Sequence, residues 1–214
     1  LVDTDTQGQV GQALGIASDT GLAELIVGEL SLDEAIVPAR PRLDLLTGGP
    51  ALAKVNRQFV GMENGSERAL GTALKSLEDR YEYVIVDTAP GWDALQANVL
   101  FYAEEVLAPV SLDSLAIRGL IAFIDRIQGI QVYNDNLLLR YVLPTGLDRR
   151  VKQSGEILEQ LQNRLDTLVC DPIRYNIRLS EASAHGMHIF EYAAKSVGAA
   201  GYAKLARRVI SDEQ

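Results

Sequence analysis

The stretch "YVIVDTAP" (Tyr83 to Pro90) is apolar without alternation until Asp87. A strand with water on one face alternates apolar and polar side chains, and a strand that does not alternate is expected to be covered on both faces. Helices packed on the two sides of a parallel sheet meet that condition. "EEVLAPVS" (Glu104 to Ser111) has the same character, and "LDLLTGG" (Leu43 to Gly49) reads as a strand stopped by glycines. "NLLLRYVLPT" (Asn136 to Thr145) adds another strand, and Leu1 and Val2 open the chain as apolar strand residues. Between them the apolar spacing turns helical. "SERALGTALKSLEDRY" (Ser66 to Tyr81) has Ser66 as N-cap, "SLAIRGLIAFIDRIQGI" is a long helix, "DRRVKQSGEILEQLQNRL" (Asp148 to Leu165) is amphipathic, and a last helix runs from Val197 to Ile210. Strands alternating with helices predict an α/β fold: a doubly wound, mostly parallel sheet flanked by helices. No linker-like tract divides the sequence, so residues 1–214 read as one domain.

Composition narrows the function classes. The 214 residues carry 29 Asp and Glu against 20 Lys and Arg, a formal charge of −9. That argues against a mainly electrostatic nucleic-acid binder, though not against a local basic patch. Cys170 is the one cysteine, so no internal disulfide forms, in keeping with a reducing cytoplasm. It reads as a small buried hydrophobe at a strand end. No run is long and apolar enough to span a bilayer, and acids stand where the basic start of a signal peptide belongs. His185 and His188 have no Cys or acid cluster to complete a metal set.

The acids at strand ends carry the chemistry. In open α/β sheets, ligands bind beyond the carboxyl ends of the strands. Asp3 and Asp5 follow the first strand, and Asp87 ends another. An apolar strand ending in Asp is the Walker B pattern, which holds Mg²⁺, usually through water, beside nucleotide phosphates. A second acid nearby orients or deprotonates an attacking water. Taken singly, each Asp is better explained as a cap of the following turn or helix, and the balance reverses only with the surrounding letters.

The surrounding letters resemble a family. "LVDTDTQGQ" is similar to the D-x-D-P-Q-G motif of the ParA/MinD group of ATPases. "YVIVDTAPGWDALQANVLFYAEEVLAPVSLDSLAIRGL" resembles its Walker B strand and the segment after it. "VLPTGLDRR" resembles its T-x-x-D-x-R turn. "IRYNIRLSEASAHGMHIFEYAAKSVGAAGYAKLA" resembles the ParA-type ending, I-P-R-N-V-R-L-S-E-A-P-S-H-G-K-P-I followed by S-x-G-A-x-x-Y. The segments fall in family order over nearly the whole chain. The ending "VISDEQ" lacks the basic, bulky tail of MinD-type membrane anchors, so the resemblance is to ParA/Soj-type partition ATPases, with no membrane partner.

The family opens with a strand, a Gly-rich loop K-G-G-x-G-K-S/T and a helix, and no G-x-x-x-x-G-K-S/T occurs in this sequence. "GQVGQALG" has glycines but no lysine. The expectation is a P-loop NTPase fold without its first strand, phosphate loop and helix, through N-terminal truncation. The fragment alone is then inactive. A chain that natively lacks the loop and serves as a scaffold or regulator is the alternative.

The resemblance implies an ATP hydrolase that uses ATP and Mg²⁺ and closes into a homodimer on ATP. It implies nonspecific DNA binding, release triggered by a ParB-like partner, and action in the cytoplasm or on the nucleoid, in plasmid or chromosome partitioning. A ParA-family ATPase that positions another cargo is the alternative on the same fold. Residue by residue, Asp5 matches the acid that positions the hydrolytic water. Asp3 matches a residue near Mg²⁺ or bracing the phosphate loop. Asp87 matches the Walker B acid, and Thr88, Ala89 and Pro90 match the turn that senses the γ-phosphate. Thr145, Pro172, Ile173 and Arg174 match segments lining the adenine pocket. Arg149, Arg150, Lys195, Arg207 and Arg208 are the main DNA candidates, with Lys152, Arg178 and Lys204 beside them. Thr6 stands in place of the usual Pro, and Val197 in place of a basic residue in a region linked to DNA contact.

Overall fold

The computed structural model describes residues 1–62 and 65–213. The chain divides into two compact units, Leu1–Ala103 and Glu104–Gln214.

The first unit runs β1 (Val2–Asp3), α1 (Gln9–Ala13), α2 (Leu22–Ile26), α3 (Leu32–Ala35), β2 (Ile36–Arg40), β3 (Leu43–Leu46), α4 (Leu52–Gly61), α5 (Ala69–Leu74), β4 (Val86–Asp87) and α6 (Ala94–Tyr102). Its sheet has the order β2-β3-β1-β4. β1 lies parallel to both neighbours, with Val2 opposite Leu46 and Val86, and Asp3 opposite Asp87. β2 joins β3 as an antiparallel edge. The core gathers Val2, Leu22, Leu46, Leu52, Val55, Leu70, Leu74 and Val99, all nearly or wholly buried. One polar side chain crosses it. Buried Asn98 of α6 donates to Ala94 O (2.9 Å) and accepts from the Leu70 N–H (3.1 Å).

That bond reshapes the helix expected over Ser66–Tyr81. Because Asn98 takes the Leu70 N–H, the segment is a 3₁₀ turn (Ser66–Arg68), then α5, then a second 3₁₀ turn (Lys75–Leu77), and Ser66 makes no capping bond among the described residues. The strand expected over Tyr83–Pro90 is also shorter. β4 pairs only with β1, so the ladder covers Val86 and Asp87, and Ile85 is 61% exposed rather than covered on both faces.

The second unit runs β5 (Glu105–Ser111), α7 (Ser114–Gln131), β6 (Leu138–Thr145), α8 (Lys152–Leu165), α9 (Ile177–Ala184), α10 (Ile189–Ala193) and α11 (Val197–Asp212). β5 and β6 pair in parallel, from Glu105 opposite Leu138 to Ser111 opposite Thr145. β6 is covered on both faces. Val142 joins a cluster with residues of α7 and α8, while Tyr141 and Leu143 join one with Cys170, Ile173 and residues of α11. β5 departs from expectation. Val106, Ala108 and Val110 are buried, and Glu105, Leu107, Pro109 and Ser111 between them are exposed, so the strand is covered on one face. The helix expected from Asp148 begins at Lys152, because Asp148 Oδ1 accepts the Arg150 N–H (3.0 Å) and closes a local turn instead. In both units, parallel strands flanked by helices meet the α/β expectation. No helix among the described residues is long and apolar enough to cross a membrane.

Candidate active site

Asp3 and Asp87 sit in register at the carboxyl ends of adjacent parallel strands, the position from which α/β sheets address ligands. Asp3 is completely buried. Its Oδ1 accepts the Asp5 N–H (2.9 Å), its Oδ2 accepts the Val10 N–H (3.2 Å), and the Gly48 N–H also bonds the carboxylate. Asp3 therefore folds the loop after β1 around itself. These three bonds leave few lone pairs for a metal.

Asp5 is only half-buried. Its Oδ1 accepts the Gln7 N–H (2.9 Å), and its carbonyl accepts from Gly8 (3.1 Å) and Gly49 (2.9 Å). The last bond ties the loop to the turn after β3, and the approach there is close. A Cβ on Gly48 would lie 2.6 Å from Asp5 O and 2.8 Å from the Asp3 carboxyl, so only glycine fits. Gly8, at φ 62°, sits in the left-handed region and turns the chain into α1.

Across the sheet, Thr4 holds β4. Its N–H (3.0 Å) and Oγ1 (2.7 Å) both donate to Asp87 O. The Asp87 side chain is exposed and accepts the Thr88 N–H. Both strand-end carboxyls titrate above the ordinary Asp range. Asp3 is pushed up first by burial, against the pull of its three N–H donors. Asp87 is pushed up by partial desolvation and then by the negative charge of Asp3 and Asp5. The three acids thus share one field, which a cation would relieve.

The turn after Asp87 is anchored by residues that the sequence did not single out. Gln96 Nε2 donates to Ala89 O. Asp93 caps α6 through Gln96 N–H (2.9 Å), while Asn56 of α4 donates to Asp93 Oδ2 (2.9 Å) and accepts the Leu95 N–H (3.1 Å). Thr88 and Pro90 are exposed, with Ala89 half-buried. In sequence, only Asp93 before an apolar run announces a cap. Beside the Gly48 turn lies a hollow of about 240 Å³, walled by Ser18, Asp19, Thr20, Gly21, Glu24 and Thr47 through Ala51.

The remaining candidates lie in the second unit. Residues 144–147 run beside 173–175, with Ile173 N–H donating to Pro144 O (2.8 Å) and Leu147 N–H to Ile173 O (3.0 Å). Thr145 and Pro172 are half-buried and Arg174 is exposed, whereas the Ile173 side chain belongs to the core against Gly201. Of the cationic candidates, Arg208 is occupied internally. It donates to Thr167 O and Val169 O, lies over the Tyr141 ring and pairs with Asp212. Arg150 is chelated by Asp148, which this holds at a pKa of about 2. Arg149, Lys195 and Arg207 are exposed and make no ion pair among the described residues. Arg178 pairs with Glu181 (2.8 Å), and Glu181 also accepts from Tyr192 OH (3.2 Å), tying α9 to α10. His185 contacts Glu181 O through Nδ1 (2.7 Å), and His188 caps α10. No group of three or more potential metal ligands occurs among the described residues.

A family model described as an AAA domain matches residues 1–139. The chain is 31% identical over 216 residues to the chromosome partitioning protein ParA of Myxococcus xanthus, covering 98% of this chain and 76% of that protein. It is 30% identical over 220 residues to the sporulation initiation inhibitor protein Soj of Bacillus subtilis, covering 99% and 86%. Among solved structures, cobyrinic acid a,c-diamide synthase from Mycobacterium smegmatis, with bound ATP analog and magnesium, superposes with a TM-score of 0.82. Its identity is 28%, over 98% of this chain and 80% of that one.

Proposed function

This chain belongs to the AAA-domain family and, within it, to the ParA/Soj-type partition ATPases, and from that premise we propose that it acts as an ATP-dependent dimerising switch in plasmid or chromosome partitioning. The observation that carries the reading is the convergence of Asp3, Asp5 and Asp87 at the carboxyl ends of β1 and β4.

The residues suit a hydrated Mg²⁺. That ion takes one or two protein carboxylates and fills its other positions with water and phosphate oxygens, so it needs no cage of protein ligands. Asp87, whose side chain is exposed and whose pKa is raised first by partial desolvation and then by the charge of Asp3 and Asp5, is the carboxylate that would hold it through water. A Mg²⁺ held there would supply neutralisation of charge on the transferred phosphoryl group. Asp3 acts through the loop, fixing the Asp5 backbone. Asp5 has one carboxylate oxygen engaged by Gln7 and the other directed to no partner among the described residues, which suits it to orient a water. The Thr88–Pro90 turn, tethered by Gln96, is the segment that senses the γ-phosphate. Thr145, Pro172, the backbone of Ile173 and Arg174 line the base. Nonspecific DNA contact falls to Arg149, Lys195 and Arg207, which are exposed and make no ion pair among the described residues. ATP binding favours the closed homodimer, and a ParB-like partner stimulates hydrolysis.

The test is ATP binding and turnover by the native full-length protein and its Asp5→Ala variant, with Mg²⁺. Retained binding with turnover lowered about 10²-fold or more is expected. Full turnover in the variant removes Asp5 from the mechanism, and absence of ATP binding by the unmodified protein overturns the reading.

A further inference from the structure

The outward face of α7 has no role in the ATPase reading. Its inner side is set by Leu120 and Ile127, which are buried. Opposite them, Leu115, Arg118, Ala122, Asp125, Gly129 and Val132 are all exposed. Their spacing alternates three and four residues, the seam of a two-helix coiled coil. Several features set this face apart from an ordinary solvated one. Leu115 in the first turn and Val132, the residue that caps the helix at its C-terminus, are 75% and 77% exposed. Gly129 lies inside the helix, where glycine costs about 1 kcal/mol relative to alanine, yet an added Cβ there would meet nothing within 4 Å. The chain's own packing does not call for it. Arg118 and Asp125 stand two turns apart on the seam, and neither has an ion pair among the described residues.

The seam is complementary to itself when run antiparallel. Facing layers then pair Leu115 with Val132 of a second copy, Arg118 with Gly129, and Ala122 with Asp125, each twice about a dyad between Phe123 and Ile124. The apolar ends meet apolar ends. Glycine leaves room for the arginine stem, which reaches Asp125 of the other copy one turn away. A parallel pairing would instead stack Arg118 on Arg118 and Asp125 on Asp125. We propose that α7 is a self-association surface at which two copies of this chain pair antiparallel, independently of nucleotide. Polar residues in such a seam lower its stability but specify orientation and register, and a single pair of helices buries less than the about 1,200 Å² of a standard interface. The association is therefore weak and reversible.

The test uses the chain without ATP or Mg²⁺. Leu115→Cys and Val132→Cys proteins are mixed at about 100 μM, a concentration suited to weak contacts, and treated with a short bismaleimide. The buried Cys170 does not compete. A mixed cross-link exceeding either self-cross-link is expected. A dominant Leu115→Cys self-cross-link, or none, overturns the proposal. In sedimentation velocity, Arg118→Asp or Asp125→Arg alone should weaken self-association about tenfold, and the double reversal should restore it. A monomer at this concentration, or a dimer indifferent to both reversals, also overturns it. Because nucleotide is absent, these outcomes are separate from success or failure of the ATPase reading.

Discussion

The first unit carries 15 Asp and Glu against 7 Lys and Arg, and the second carries 14 against 13. Nearly all of the chain's −9 therefore sits in residues 1–103, with the three site carboxylates. The stretch Arg140–Arg208 holds 11 basic residues against 7 acidic. The units also use their charges differently. In the first, Asp3 and Asp5 are bound into tight backbone turns where one methyl group would collide. In the second, Arg149, Lys195 and Arg207 stand on exposed positions and make no ion pair among the described residues. Close packing itself is local to each unit, since an added Cβ would also come within 3.0 Å of a side chain at Gly198 and Gly201 of the second, so the units differ in how their charges are held.

Glycine substitution is the severest probe of this contrast. Gly48→Ala drives a Cβ into Asp5 O and the Asp3 carboxyl and should cost about 3 kcal/mol or more in urea unfolding. Gly155→Ala, inside α8 with open space around it, should instead stabilise by about 0.5–1 kcal/mol. Equal effects would erase the distinction. Next in size is Asn98→Leu, which leaves the buried Leu70 N–H unpaired and should cost about 2–3 kcal/mol. Arg208→Ala, the corresponding tie in the second unit, removes bonds to Thr167 and Val169 that lie nearer solvent and should cost about 1–2 kcal/mol.

Smaller effects concern charge. If DNA binding by the full-length protein rests on Arg149 and Arg207, each Ala substitution should lower the slope of log affinity against log salt by about 1. Arg150→Ala, whose charge Asp148 already neutralises, should change the slope less. The smallest effect is a pH dependence. Asp3 and Asp87 have folded pKa values raised above their ordinary range, so the folded state holds their protons more tightly than the unfolded chain does. Their contribution to stability is greatest below about pH 4 and falls as the pH rises through the folded pKa values. Asp87→Asn should flatten that decline above about pH 4 and slightly raise the melting temperature at neutral pH. A steeper decline would show that the acids do not share a field.

Much of this was legible in the letters. Apolar runs ending in Asp, alternating with helical spacing, predicted parallel strands with carboxylates at their ends, and β1, β4, β5 and β6 formed where expected, with shifted limits. Local chemistry carried those predictions, because strand periodicity and strand-ending Asp are properties of a few adjacent residues. Helix starts were less secure. Ser66 read as a cap, but the bond that organises its segment comes from Asn98, far along the chain. The exposure of Ile85 and of one face of β5 depends on which neighbours a strand acquires, and periodicity does not report that.

The division of labour among the acids belongs to the tertiary structure. Asp3 and Asp5 look alike in "DTDTQ", yet Asp3 is buried under three backbone donors and Asp5 has one carboxylate oxygen with no hydrogen-bond partner among the described residues. Gly48, Asn56 and Gln96 carry no mark in sequence, because their roles arise only where turns after different strands meet. Likewise Arg207 and Arg208 are adjacent and chemically identical, and only packing shows that one is bound into the fold and the other faces water. Composition and spacing specify which chemical groups a chain can bring to a strand end. Which of them is desolvated, bonded or free depends on neighbours that the fold brings from elsewhere.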